Sequence, residues 1–490
     1  MRTLLLHVGD DAVRAIVVEA VPGGWFEVVA QHRVVLGLGR AIRRDGQLGE
    51  GRRELVEETV RRLREAAFRR GVDRTVATVT PALAGAADLE ALLKGCTEVA
   101  GVEVVLRDPG EQAFGLIVAA ARALGRQALC PVLELSDSQL RWCGTIDGQT
   151  FEGNVAGGID PLLTEHPDPL TAAGRAAAAR TVAELLRCPG VVALLPEVPE
   201  GRPLVACGPA VVSLAETVLT RRWGGQRPHV EGTHVTGEDL RQLQHAVADA
   251  GPGGRLLLPE VDPAEGDRVT LAVLILHELT DRVGADGVVV TTADRHDAEV
   301  LAALELLSGA APLDALSLAA GPSLVGCDAF AVRLFDALRD RFGLSDVDRD
   351  LLARSLSLPG SNLPSAHRRQ ARELLEQGVR GLDPDRLVEL ACLVRFRRGR
   401  LPGTHFSPYV RLPRIRRRVV ERLVGMLRLA VALDAVVEAD ACAVALVDDG
   451  VVITVPEDRA SSLSRHWLGG IERLLGSPVL LVQSPAGVTH

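Results

Sequence analysis

The chain has 490 residues, of which 47% are apolar and 24% are charged, the balance of an ordinary globular protein of about three domains. Its net charge of −9 argues against wholesale nucleic-acid binding, and no apolar run reaches the roughly 18 residues of a membrane span. With eight scattered cysteines and no signal-peptide pattern, we expect a cytoplasmic protein with free thiols and without a membrane partner.

The first 125 residues predict an α/β lobe. Two apolar runs, LLLHV and VRAIVVE, flank the polar turn Gly9-Asp10-Asp11 and indicate a β-hairpin. A further strand (25–37), a helix from about 50 to 70, and two strands alternating with helices follow. The last of these helices is EQAFGLIVAAARAL.

The same order of elements then restarts. Short strands separated by turn residues fill 131–156, and helices alternate with the buried strands PLVACG and GADGVVVTT. Antiparallel strands followed by βαβ units, found twice, predict a duplicated fold with a cleft between lobes 1–125 and 126–312.

Beyond about residue 320 the pattern is helical as far as 435, and residues 436–490 return to α/β. One stretch of this helical part, 391–420, has nine arginines and no acidic residue. Arginine forks bind phosphate oxygens, so we interpret the stretch as a polyanion-binding surface; a solvated face or a subunit contact is the alternative. The arginines are Arg395, Arg397, Arg398, Arg400, Arg411, Arg414, Arg416, Arg417 and Arg418.

The order of these elements, together with certain segments, resembles the exopolyphosphatase and guanosine pentaphosphate phosphatase (Ppx/GppA) family. The resemblance is carried by LPEVDPAEGDRVTLAVLILHELTDRVGADGVVVTT, LGRAIRRDGQLGEGRRELVEETV, LVRFRRGRLP and LRLAVALD. It implies two actin-like (RNase H-like) lobes, a helical HD-like domain and a small α/β tail. It also implies Mg²⁺-assisted attack of water on a terminal phosphate of polyphosphate or a guanosine polyphosphate, in a homodimer.

Several positions depart from the family's motifs. The first phosphate loop, DIGSNSVR in the family, is HVGDDAVR here. We predict that Gly9, Asp10 and Asp11 hold no phosphate directly, since carboxylates repel a dianion; a cation that bridges Asp10 or Asp11 to phosphate is the alternative. The second loop, DIGGGSTEL, is ELSDSQLR, without the three glycines that let a backbone approach phosphate. Glu134 could still replace the metal-binding Asp, with Ser136 and Ser138 as donors. A glycine-rich turn survives only at Gly208.

Glu111 lies where the family has its general base, at the predicted start of a helix, although an acidic residue in a first helical turn is also commonplace. The His-Asp pair that gives HD domains their name is replaced by Ser357-Leu358.

These losses accompany an intact apolar pattern, so the chain can fold without being able to catalyse. We expect a phosphatase-like protein that binds polyphosphate or (p)ppGpp, with weak or no hydrolytic activity. The alternatives are an active phosphohydrolase using Glu111 and Mg²⁺, and a structural subunit that pairs with an active paralogue. We expect no specific nucleic-acid partner.

Overall fold

A computed structural model describes most of the chain. The described residues are 1–10, 12–21, 25–125, 130–136, 139–146, 149–155, 158–169, 171–187, 203–224, 227–254, 266–306, 327–358, 364–398, 400–434, 442–447, 450–455 and 465–483. They fold into two compact units, the first formed by 1–215 and 233–316 and the second by 216–232 and 317–490. In the part of the chain so described, no helix is long and apolar enough to span a membrane.

The first sheet of unit one has the strand order β3-β2-β1-β4-β5. Strand β1 pairs antiparallel with β2, which pairs antiparallel with β3, while β1, β4 and β5 run parallel. The strands are β1 (Arg2–Val8), β2 (Ala12–Val21), β3 (Trp25–Val35), β4 (Arg74–Val79) and β5 (Val104–Leu106). The helices are α1 (Leu38–Asp45), α2 (Glu50–Phe68), α3 (Leu89–Ala100) and α4 (Pro109–Ala123).

The second sheet has the order β10-β11-β9-β6-β7-β8, again an antiparallel meander (β8-β7-β6) joined to parallel strands (β6, β9, β11). Its strands are β6 (Val132–Leu135), β7 (Leu140–Ile146), β8 (Gln149–Val155), β9 (Leu204–Cys207), β10 (His234–Thr236) and β11 (Gly287–Val290). The helices are α5 (Ile159–Glu165), α6 (Ala172–Leu185), α7 (Pro209–Trp223), α8 (Gly237–Gly254), α9 (Gly266–Val283) and α10 (Arg295–Ala303). The predicted duplication is confirmed: the order β3-β2-β1-β4-β5 recurs as β8-β7-β6-β9-β11, and the second sheet adds the antiparallel edge strand β10.

Helices α4 and α10 provide the apolar packing between the two sheets. Ala119 of α4 and Ala298 of α10 share a buried cluster with Leu5 of β1. On another face of α4, Leu116 packs in a second cluster with Val132 of β6. Because small alanines line these helices, both sheets approach them closely, and this brings the ends of β1 and β6 toward the start of α10.

The second unit is mainly helical and includes a small sheet in the order β12-β13-β14. Its elements are α11 (Cys327–Phe342), α12 (Asp346–Ser357), α13 (Pro364–Gln377), α14 (Pro384–Phe396), α15 (Ser407–Arg411), α16 (Arg414–Asp434), β12 (Ala443–Val447), β13 (Gly450–Val455), α17 (Arg465–Leu475) and β14 (Val479–Gln483). The segment 216–232 also belongs to this unit, since the His229 amide donates to Leu375 O at 2.9 Å and Arg411 donates to Arg222 O at 3.0 Å. The sequence pattern did not predict this excursion.

Candidate functional site

The candidate site lies at the carboxyl ends of the central strands of unit one. His7 is near the end of β1, and the β1–β4 register places it opposite Thr78. The His7 Nδ1 atom and the Thr78 hydroxyl share a hydrogen bond of 3.0 Å. The ring of His296, the second residue of α10, meets the His7 ring edge-on with centroids 5.2 Å apart. A residue of the first lobe and one from the end of the second are thus in contact.

Both histidines are held neutral. Burial lowers the pKa of His7 well below its usual value, and neighbouring His296, Arg295, Arg14 and Arg107 lower it further. Burial also lowers the pKa of His296, with positive charge from nearby arginines adding to the effect. The site therefore holds two uncharged imidazoles among arginine side chains.

This pair predicts a pH dependence of stability. The native state keeps both rings neutral, whereas the unfolded chain protonates them below about pH 6.5, so the unfolded state binds more protons there. We expect the free energy of unfolding to fall as the pH drops below 6.5, by up to about 1.4 kcal/mol per pH unit for each ring. Urea denaturation between pH 5 and 7.5 measures it. A His7→Asn variant that folds but keeps the full slope would contradict the assignment of this slope to His7.

The central charged pair of the site is Glu134 with Arg295. Glu134 lies in β6 with only 7% of its side chain exposed, and Arg295 Nε donates to Glu134 Oε1 at 2.8 Å. Burial alone would lower the pKa of Arg295, but Glu134, with Asp10 and Asp294, raises it above its ordinary value. The guanidinium is therefore a permanent positive charge beside this carboxylate.

The first turn of α10 holds Arg295 in position. Asp294 caps the helix by accepting hydrogen bonds from the amides of His296 (2.7 Å) and Asp297 (3.2 Å). Asp297 returns the contact by accepting from the Asp294 amide, which completes a capping box. Because Arg295 is the first residue of a capped helix, its backbone is fixed.

Further ion pairs surround this centre. Arg107, just after β5, donates to the buried carboxylate of Glu299 on α10 at 2.8 Å, and Gln112 of α4 donates to the same carboxylate at 3.2 Å. Arg141 of β7 lies 3.4 Å from Glu152 of β8. Helix α10 is therefore joined by ion pairs to β6 and to the residue after β5, and by a hydrogen bond to α4.

Two of the solved structures that this chain resembles are crystal structures from Aquifex aeolicus. One is that organism's member of the Ppx/GppA protein family, with 15% identity and a TM-score of 0.52, covering 63% of this chain and 99% of the other. The second is the type II variant of the Aquifex aeolicus Ppx/GppA phosphatase, with 14% identity and a TM-score of 0.50, covering 62% and 99%. No protein-family model matches the chain, and no curated protein matches it by sequence.

The chain has the Ppx/GppA fold. At this level of identity the likeness is one of architecture, an actin-like α/β unit followed here by a helical part. The site residues of this chain must therefore be judged by their own geometry.

The donor set does not fit the divalent metal that a Ppx/GppA-type reaction implies. Of the two oxygens of Glu134, Oε1 accepts from Arg295, and only Oε2 has no hydrogen-bond partner. Among the described residues, no group of three or more His, Cys, Asp or Glu side chains could hold a metal ion. A divalent cation at Glu134 would also lie beside the guanidinium, and like charges repel.

The first loop of the Ppx/GppA motif is a closed hairpin turn here. The Gly9 amide donates to Ala12 O at 2.9 Å and is therefore not directed at a ligand. The Asp10 carbonyl accepts from the Gly39 amide. Asp11 lies outside the described residues. This geometry agrees with the expectation that the turn binds no phosphate directly, which stays a prediction.

The second loop also uses hydrogen-bonding groups within the loop. The Ser136 hydroxyl donates to Gln139 O at 2.9 Å and accepts from the Gln139 amide at 3.0 Å, so its one hydrogen is not available to a ligand. Ser138 lies outside the described residues. Gly208, after β9, has φ +114°, and a Cβ there would stand 2.1 Å from Leu135 O. Its glycine is thus required by the close approach of β6.

Glu111 lies in the first turn of α4, which begins at Pro109. Its amide donates to the carboxylate of Asp108, the helix cap, at 3.0 Å, and its own side chain is exposed. The position suits an acidic residue because the N-terminal end of a helix favours negative charge. Its role as general base stays a prediction.

The arginine stretch lies in unit two, where its members have different environments. Arg400, Arg411, Arg414 and Arg418 are exposed, and the others that the prediction named, Arg395, Arg397, Arg398 and Arg417, are half-buried. Arg395 lies over the Phe406 ring at 5.8 Å.

Arg416 requires a correction. Its Nε donates to Glu389 Oε1 at 2.6 Å and its Nη2 to Asp348 Oδ1 at 2.7 Å, and both carboxylates are almost completely buried. Arg386 contacts the same two acids. Arg416 therefore belongs to an internal ion-pair network that joins α12, α14 and α16. Its guanidinium is engaged there and is not part of a polyanion-binding surface.

Sequence reasoning missed Arg295 and His296. Their signal is the stretch Asp294-Arg295-His296-Asp297, a helix-capping pattern placed directly after the apolar strand GVVVTT. A strand end followed by a helix start is where α/β proteins place ligand-binding residues. The pattern indicates a position after the carboxyl end of β11, but not the partner of Arg295.

Proposed function

We propose that this chain is a divergent Ppx/GppA phosphatase-like protein that binds polyphosphate or a guanosine polyphosphate and hydrolyses it weakly or not at all. The observation that carries the proposal is the ion pair between Arg295 and Glu134, at the position that the resemblance gives to a metal-binding carboxylate. Metal-assisted attack of water needs a cation that can bind both phosphate and water, and a guanidinium does not activate water.

Two features support retained binding of anions. The Arg295 Nη groups make no hydrogen bond to the described residues, which leaves donors for an oxyanion beside the Glu134 pair. In the second unit, four exposed arginines lie within 400–418, a segment without acidic residues. Extended polyanions bind such surfaces mainly through charge, without a preformed phosphate loop.

The binding half of the proposal is tested by equilibrium titration of the whole chain. Fluorescently end-labelled polyphosphate and guanosine pentaphosphate are titrated in EDTA and, separately, in Mg²⁺. We expect saturable binding of at least one ligand in both conditions, with an affinity that falls as salt rises. Absence of binding to both ligands would contradict the proposal and would favour the structural-subunit alternative.

The remaining expectations from the resemblance are part of the same proposal. We propose that the protein is a cytoplasmic homodimer. Sedimentation equilibrium of the purified chain measures whether it forms a dimer. Mg²⁺ is not part of the proposed binding mode, because the donor set at Glu134 does not suit it.

A further inference from the structure

The protein itself supplies the positive charge that balances the buried carboxylate of Glu134. The side chain is 7% exposed, and a buried carboxylate needs a positive partner to remain ionised. Arg295 Nε provides that partner at 2.8 Å, on a helix whose start is fixed by a capping box.

We propose that Arg295 is the resident cation of this site and makes the site independent of divalent metal. The inference deepens the proposed function, on which it rests for the identity of the ligand, but its test needs no ligand.

The surrounding charges support this assignment. Arg141 lies close enough that its positive charge and that of Arg295 influence one another, and Glu134 attracts both. A divalent ion placed on the free oxygen, Oε2, would meet repulsion from both guanidinium groups. Of the other acids within electrostatic range, Glu152 lies 3.4 Å from Arg141, Asp294 is engaged as the cap of α10, and Asp10 acts on Arg295. The pair thus occupies Oε1 and places positive charge beside Oε2.

Removal of the guanidinium should leave Glu134 as a buried anion without its partner, which attracts a cation. In Arg295→Met, a side chain of similar length fills the space, while Glu134 loses its hydrogen-bonded partner and keeps two free oxygens. A buried carboxylate without a partner destabilises the fold, and a cation that binds only the folded state restores stability by mass action.

The experiment is thermal unfolding of the full chain with and without 5 mM Mn²⁺, together with isothermal titration of Mn²⁺ alone. Arg295→Met should unfold about 5–10 °C below wild type, because removing one partner of a buried pair is strongly destabilising. Mn²⁺ should raise the midpoint of this variant by roughly 2 °C or more, through linkage. The wild type and the charge-conserving Arg295→Lys should show no such response.

A double variant ties the response to the carboxylate. In Arg295→Met/Glu134→Gln, the Mn²⁺ response should disappear and much of the lost stability should return, since both charges are gone. If Arg295→Met does not fold, titration of Mn²⁺ into the wild type and into Glu134→Gln still tests the inference. We expect neither protein to bind Mn²⁺. Mn²⁺ binding by the wild type that Glu134→Gln removes would overturn the inference, as would an Arg295→Met variant that folds but gains no response. Failure of the chain to bind polyphosphate or a guanosine polyphosphate would count against the proposed function, but not against the inference that Arg295 makes the site independent of divalent metal.

Discussion

Replacing Arg416 with alanine lowers the free energy of unfolding of the helical unit by about 3–5 kcal/mol, the cost of leaving one of two buried negative charges uncompensated. Arg416 neutralises Glu389 and Asp348, whose side chains are 2% and 3% exposed. Arg386 alone then faces both carboxylates. Urea denaturation followed by circular dichroism measures the change.

A matched control on the same helix is Arg414→Ala. Arg414 is exposed and forms no ion pair with an acid among the described residues, so we expect a change within about 0.5 kcal/mol. Equal effects of the two substitutions would contradict the network.

The Arg416 effect should also depend on pH. Burial would raise the pKa of Asp348, but hydrogen bonds from Arg416 and Ser345 hold it below its usual value. A carboxyl with a lowered pKa contributes stability above its unfolded pKa near 3.9, and this contribution is lost as the pH falls below that value. The difference between wild type and Arg416→Ala should therefore shrink in acid.

Removing four exposed or half-exposed arginines of unit two should weaken polyphosphate binding sharply. The variant replaces Arg398, Arg400, Arg414 and Arg418 with alanine and leaves the Arg416 network intact. Each phosphate neutralised contributes about 0.7 to the slope of log K against log salt for a single-stranded polyanion, so we expect the slope to fall by about 3. At low salt the affinity should drop by roughly 100-fold or more. Titrations at 50 and 200 mM salt give both quantities.

The control variant carries the same change of charge elsewhere. Arg61 and Arg62, within α2, and Arg69 and Arg70, just beyond its end, are all exposed and lie in the other unit. Replacing these four with alanine should leave the affinity and the salt slope close to wild type. If both variants lose affinity equally, net charge rather than the arginine stretch explains binding, and the stretch is a solvated or subunit-contact face.

The architecture could be predicted because it is encoded in local patterns. Two apolar runs around a polar turn predicted the hairpin of β1 and β2, and the helical periodicity predicted α2 and α4 close to their observed bounds. The repeated order of strands and helices then predicted two sheets with a common strand order, which the structure confirms.

The candidate site was less accessible to sequence reasoning, because its main contacts join distant residues. Glu134 and Arg295 are 161 positions apart, and Arg416 is 68 positions from Asp348. A charge count identifies an arginine-rich stretch, but it cannot separate an arginine that faces solvent from one that neutralises a buried acid. Arg416 and Arg418 look alike in the sequence and differ entirely in environment.

The central claim, binding without efficient hydrolysis, is tested most directly by a phosphate-release assay on the purified chain. Long-chain polyphosphate and guanosine pentaphosphate are supplied at saturating concentration with Mg²⁺ and, separately, with Mn²⁺. We expect phosphate release indistinguishable from a buffer blank, or less than one turnover per chain, under conditions in which the ligand is bound. Sustained turnover with either metal that Glu111→Gln abolishes would contradict the account and establish an active phosphohydrolase.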